Sequence, residues 1–220
     1  MPTGNVLDRL LQGGVVAVVR ADEGSKLVDV AKALADGGVT GIEVTFTVPR
    51  AHRVLEAVAD SLGDTVELGA GTVLDAETAR ISILSGAEFI VSPAVSLGVI
   101  EMAKRYGKAV FPGALTPTEV LTAWQAGADA VKIFPSDLTG PSYLKALAGP
   151  FPQIRMMPTG GVNLDTAEAF LAAGACALGV GSALVDAKTV ASGDFKVLTD
   201  RARKYRAIVD EYRTKHGSSA

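Results

Sequence analysis

Short apolar runs alternate with amphipathic stretches along almost the whole chain, at one steady rhythm. Asn5–Gln12 reads as a short amphipathic helix, placed to lie across one end of a domain. Val15–Arg20 then reads as a strand, and Gly24–Asp36 as a helix with Leu27, Val30, Ala31 and Leu34 at helical spacing. Further strands are expected at Gly41–Phe46, Leu68–Val73, Phe89–Ser92, Ala109–Leu115 (broken at Pro112-Gly113), Ala130–Pro135, Arg155–Thr159 and Ala177–Gly181. Helices fall between them. One is opened by Pro49, one is capped by Asp75, and one runs from about Leu97 to Tyr106. The next starts at Thr116-Pro117-Thr118-Glu119, a cap followed by a first-turn proline and an acidic residue. Ser142–Leu147 and Asp165–Ala173 follow. A long last helix is expected over Phe195–Tyr212, striped by Leu198, Tyr205, Ile208 and Tyr212, with fraying from Lys215.

Strand and helix thus alternate eight times at intervals of roughly twenty to twenty-six residues. That rhythm predicts a single-domain (β/α)8 TIM barrel over residues 1–220, with a short N-terminal and a long C-terminal helix. The competing doubly wound open sheet usually carries a dinucleotide fingerprint in its first βα turn. Val19-Arg20-Ala21-Asp22-Glu23-Gly24 is not one.

Composition narrows the partners. A formal charge of −3 argues against nucleic acid, whose phosphates demand a basic face. The longest apolar-looking run, Ala167–Val185, is interrupted by Glu168, Gly174, Gly179, Gly181 and Ser182, so no membrane span is expected. No basic flank and apolar h-region open the chain, and a single cysteine, Cys176, rules out an internal disulfide. A cytoplasmic protein is expected. His52 and His216 lie far apart, and neither has a partner at zinc-ligand spacing.

Candidate chemistry starts at Ala130-Val131-Lys132-Ile133-Phe134-Pro135. A lysine inside an apolar strand needs a reason, since lysines are almost never fully buried unpaired. Alternation puts Val131 and Ile133 on one face, and Lys132 with Ala130 and Phe134 on the other. By the same rule Ile42, Val44 and Phe46 face the helices, while Glu43, Thr45 and Thr47 face inward. The pair Lys132–Glu43 is then either a buried ion pair, which adds little net stability, or a desolvated amine with its proton shuttle. A second cluster lies in the glycine loops Thr159-Gly160-Gly161 and Gly179-Val180-Gly181-Ser182, after consecutive strands. Barrels commonly bind phosphate there through backbone N–H groups. Val16, Val18 and Arg20 share a face, which places Arg20 at the rim beside Glu43; the alternative is a solvated arginine paired with Asp22 or Glu23.

These residues resemble a known family. Ile42-Glu43-Val44-Thr45, Gly69-Ala70-Gly71-Thr72-Val73-Leu74, Phe111-Pro112-Gly113, Lys132-Ile133-Phe134-Pro135 and Pro158-Thr159-Gly160-Gly161 look like the 2-keto-3-deoxy-6-phosphogluconate (KDPG) and 4-hydroxy-2-oxoglutarate (KHG) aldolases. The phosphogalactonate aldolases form a branch of the same family. The match runs in order over nearly the whole chain. It implies a class I aldolase with Lys132 as Schiff-base lysine and Glu43 as general acid/base. Thr72 and Pro93 would lie beside the pyruvyl group, with Phe134, Arg20 and Thr47 as further substrate contacts. Thr159, Gly160, Gly161, Gly181 and Ser182 would hold the phosphate. No metal or organic cofactor is implied, and the family is usually homotrimeric. The implied substrate is a phosphorylated 2-keto-3-deoxy sugar acid, cleaved to pyruvate and glyceraldehyde 3-phosphate. The best-known members carry an arginine four residues after the glutamate, where this chain has Thr47. The phosphogalactonate branch has instead an arginine at the end of strand one, as Arg20 is here, although the run Glu43-Val44-Thr45 resembles the phosphogluconate type. Two other classes remain open: a barrel phosphosugar isomerase or epimerase, in which Lys132 only steadies an anion, and a non-catalytic oligomeric scaffold.

Overall fold

A computed structural model describes residues 5–22 and 24–217. Its strands are all parallel. One sheet has the order β5-β4-β3-β2-β1-β9, built from β1 (Val15–Val19), β2 (Gly41–Thr45), β3 (Glu67–Gly71), β4 (Phe89–Val91), β5 (Ala109–Phe111) and β9 (Leu178–Val180). The other has the order β6-β7-β8, from Gly113–Ala114, Val131–Ile133 and Met156–Pro158. Pro112 alone separates β5 from β6. Its ring removes the N–H that a continuous ladder would need, so the expected strand Ala109–Leu115 becomes two. Parallel bridges Met156↔Ala175 and Thr159↔Gly179 link the far edge of the second sheet to the segment of β9.

The helices are α1 (Val6–Gly13), α2 (Leu27–Asp36), α3 (Ala51–Leu62), α4 (Ala76–Leu84) and α5 (Leu97–Arg105), then α6 (Pro117–Gln125), α7 (Gly140–Ala148), α8 (Ala167–Ala172), α9 (Ala187–Ser192) and α10 (Phe195–His216). Caps stand where the sequence puts them. Asp75 accepts the Thr78 N–H at 2.6 Å, and Thr116 with Glu119 forms a full capping box. Hydrogen bonds from the Thr116 and Leu115 N–H groups hold the Glu119 carboxyl below its usual range. α2 starts three residues later than expected, because residues 24–26 form a turn closed by Leu27 N–H to the Gly24 carbonyl. α9 is absent from the sequence reading. α10 continues to His216, past the point where fraying is expected, and its buried stripe is Leu198, Ala202, Tyr205 and Val209. Ile208 and Tyr212 are only partly buried.

Alternation along the strands creates two apolar cores. Ile42, Val44, Val131 and Ile133 join the large core under the helices, as expected. The second core holds Val16, Phe89, Val91, Phe111, Ala130, Met157 and Ala177, drawn from both sheets, with Leu10 of α1 beneath. Phe89 and Phe111 meet there with ring centroids 5.8 Å apart. Lys132 and Glu43 belong to this second face. Among the described residues, no helix is long and apolar enough to cross a membrane.

Candidate active site

Lys132 is 3% exposed and Glu43 is fully buried. Glu43 pairs in register with Val18 and Gly69, and Lys132 with Gly113 and Met157. None of the ion pairs among the described residues includes either side chain. Both Glu43 carboxyl oxygens are buried without a hydrogen-bond partner among those residues. That overturns the ion-pair reading. A buried carboxyl with no protein partner is poorly explained by stability, since leaving such a group unsatisfied costs about 1–3 kcal/mol. Lys132 Nζ lies 5.2 Å from the centroid of the Phe134 ring, on the face they were expected to share.

Glycines on the same face make this arrangement possible. A Cβ on Gly71 would stand 1.8 Å from Glu43 Oε1. On Gly179 it would meet Thr159 Oγ1 at 2.2 Å, and on Gly113 the Pro93 carbonyl at 2.3 Å. Thr72, directly after β3, has φ 56°. For a β-branched residue this left-handed conformation costs on the order of 1–3 kcal/mol, and such strain gathers at functional sites.

Beside this floor opens a cleft of about 280 Å³. Arg20, Phe134, Thr159, Gly160, Gly161, Gly181 and Ser182 all line it, together with Val18, Val162, Asn163 and Ala183. Glu43, Lys132, Thr47, Thr72 and Pro93 do not line it. Phe134 and Val18 connect the two regions, Phe134 through its contact with Lys132 and Val18 through its register with Glu43. Gly160 and Gly161 have φ 88° and 70°, and a Cβ on Gly161 would strike the Asp137 backbone at 2.7 Å. Asn163 and Thr166 brace this loop: Asn163 Oδ1 accepts the N–H groups of Asp165 and Thr166, and the Thr166 hydroxyl donates to the Gly161 carbonyl at 2.9 Å. Thr159 Oγ1 is buried with no partner among the described residues.

Thr47 lies in the turn after β2, not in the strand, and its hydroxyl is engaged by Thr45 at 2.7 Å. The Thr45 hydroxyl also bonds the Val19 carbonyl at 3.2 Å, which ties this turn to the end of β1. Arg20 is exposed and has no ion pair with Asp22. Glu23, the other partner considered for it, lies outside the described residues. Cys176 is a partly buried residue packed on the second core, and burial pushes its thiol up to about 12. Among the described residues, no three His, Cys, Asp or Glu side chains gather as a metal-binding group.

Comparison with known proteins points one way. Residues 6–200 match the family described as KDPG and KHG aldolase. The chain is 33% identical over 205 residues to the 2-dehydro-3-deoxy-phosphogluconate aldolase of Treponema pallidum, covering 93% of this chain and 97% of that protein. It is 36% identical over 171 residues to the 2-dehydro-3-deoxy-6-phosphogalactonate aldolase of Escherichia coli, covering 77% and 83%. A KDPG aldolase from Legionella pneumophila, solved with pyruvate captured as a covalent carbinolamine intermediate, superposes with a TM-score of 0.84 at 26% identity, over 92% of this chain and 98% of that one.

Proposed function

The chain belongs to the KDPG and KHG aldolase family, and from that premise we propose that it is a class I aldolase cleaving 2-keto-3-deoxy-6-phosphogluconate reversibly to pyruvate and glyceraldehyde 3-phosphate. One observation carries the reading. A buried lysine of the second sheet and a buried carboxyl of the first, unpartnered among the described residues, lie on the inward strand faces beside a cleft rimmed by glycine loops.

In this mechanism Lys132 Nζ adds to the C2 carbonyl to give a carbinolamine, which loses water to a Schiff base. Glu43 takes the proton of the C4 hydroxyl. The C3–C4 bond then breaks, its electron pair flowing into the protonated imine to form an enamine, and glyceraldehyde 3-phosphate departs. Glu43 returns its proton to C3, and hydrolysis of the second Schiff base frees pyruvate and Lys132. Gly71 leaves the Glu43 carboxyl room beside β3. Thr72 and Pro93 flank the three-carbon unit, and Phe134 covers Lys132. The phosphate sits against Thr159, Gly160, Gly161, Gly181 and Ser182. Arg20 takes over the carboxylate clamp that Thr47 lacks, since a guanidinium fork suits a planar anion better than a hydroxyl already bonded to Thr45.

The same reading makes the two sheets one closed (β/α)8 barrel, within one domain over residues 1–220. It is supported by the single-proline gap between β5 and β6, the two bridges toward β9, and an inner core drawn from both sheets. We further infer a cytoplasmic homotrimer; apolar surface at Leu74, Ile81 and Leu84 around α4 and at Leu97 of α5 supports self-association. Coupling pyruvate release to NADH oxidation by lactate dehydrogenase tests the activity, with the gluconate and galactonate epimers assayed side by side. Turnover of the gluconate epimer is expected to exceed that of the galactonate epimer. The reverse order would move the chain to the phosphogalactonate branch, and no pyruvate from either epimer would overturn the proposal.

A further inference from the structure

The loop that carries Gly181 and Ser182 is held from behind, by residues that never reach the cleft. The Gly181 carbonyl accepts the N–H groups of Leu184 and Val185, each at 2.9 Å. The Leu184 carbonyl in turn accepts Arg201 Nη1 of α10 at 3.3 Å. The same nitrogen donates to Asp186 Oδ2 at 2.5 Å. Asp186 is the cap of α9, accepting the Thr189 N–H at 3.0 Å and the Thr189 hydroxyl at 2.6 Å. Arg201 therefore joins the return of the loop and the start of the next helix in one bond network.

Buried Leu184 and Val185 already fix the base of this loop by packing. Apolar contacts are non-directional, so they leave the peptide planes at the tip unspecified. A Cβ on Gly181 would meet no atom of the described residues within 4 Å beyond its chain neighbours. The peptide that carries the Ser182 N–H is held through the Gly181 carbonyl by the 184–185 peptide that Arg201 anchors, and groups that bind a ligand must be held to within about 0.5 Å. The Arg201 guanidinium, followed by Thr189, holds the Asp186 carboxyl far below the usual carboxylate range. The anchor therefore keeps its charge at every pH of an ordinary assay.

The geometry points to Arg201 as a positioning residue for the phosphate end of the substrate, acting through Leu184 and Gly181; this rests on the cleft being the phosphate subsite. Arg201→Met keeps the apolar stem and removes the fork. In the full-length enzyme it raises KM for the phosphorylated sugar acid about tenfold, with kcat within about twofold. For the unphosphorylated sugar acid kcat/KM stays within about twofold. Inorganic phosphate, used as a competitive inhibitor, weakens in parallel. Arg201→Lys, which restores one donor, recovers part of the loss. Ser182→Ala is measured beside them. If Ser182→Ala discriminates between the two substrates and Arg201→Met affects both equally or neither, the inference fails while the phosphate reading stands. If Ser182→Ala shows no discrimination either, the phosphate reading fails and the inference with it. Should Arg201→Met not fold, Arg201→Lys decides alone: a KM rise confined to the phosphorylated substrate supports the role, and an equal change on both overturns it.

Discussion

The floor of the site and the Gly181 end of its rim use glycine in opposite ways, whereas Gly161 at the rim makes room for the Asp137 backbone as the floor glycines do for their neighbours. On the floor, glycines make room for the protein's own side chains: Gly71 for Glu43, Gly179 for Thr159, Gly113 for the Pro93 carbonyl. At the rim, Gly181 faces open space, and its missing side chain leaves a backbone open to whatever fills the cleft. The floor is thus a packed arrangement whose parts fix one another, and in the proposed mechanism it holds the reacting bonds. The rim is a loop surface that, in the same proposal, grips a part of the substrate where no bond changes. Substitutions in the first region should act on kcat, and those in the second on KM.

Replacing the nucleophile gives the largest effect. Lys132→Met should abolish turnover, by about 10⁴ or more, while the melting temperature holds or rises, because a buried amine gives way to an apolar stem of similar length. Glu43→Gln comes next, with a loss of about 10²–10⁴ in kcat. Since Glu43 has no hydrogen-bond partner among the described residues to orphan, its thermal melt should stay close to the parent's. A large fall in Tm with unchanged kcat would mean that Glu43 is structural. Gly71→Ala and Gly181→Ala then set the two regions directly against each other. A methyl group at 71 must displace the Glu43 carboxyl, and a shift of about 1 Å costs on the order of 10²-fold in rate. A methyl group at 181 meets no atom of the described residues within 4 Å beyond its chain neighbours, so the enzyme is expected to fold normally and only KM for the phosphorylated substrate to rise, by several-fold. Steady-state kinetics and melting curves of both variants check this contrast.

The floor was legible in the sequence, because strand alternation is a strict period of two. The position of Lys132 among Ala130 and Phe134, and of Glu43 opposite Ile42 and Val44, followed from counting. The fate of their charges did not follow. Whether a lysine and a glutamate on neighbouring inner positions form an ion pair depends on side-chain paths around Gly71 and Phe134, and no spacing rule encodes those. Thr47 illustrates the same limit. Alternation carried on past Thr45 puts it inward, whereas the hydroxyl bond to Thr45 and the turn at Phe46 end the strand first. At the rim the glycine pairs signalled a loop, but α9 gave no signal. It runs only from Ala187 to Ser192, too short to show a helical period, and its cap Asp186 looks like any loop acid until Arg201 is seen beside it. Pro112 was visible as a break in its strand, yet not as the point where the ladder divides.

The smallest effect is expected at Cys176, which lies in neither region. With its thiol pushed up to about 12 by burial, only about one molecule in 10⁴ carries a thiolate at pH 8. Iodoacetamide should therefore label it slowly and leave activity intact. Rapid labelling with loss of turnover would place a reactive group on the floor that the present account does not use.

In the proposed mechanism Lys132, and no other amine, bonds the substrate. Borohydride added with pyruvate should inactivate the enzyme, and peptide mass mapping should find one reduced three-carbon adduct, on Lys132. An adduct on Lys104, Lys108 or Lys145, or no adduct with activity retained, would contradict it.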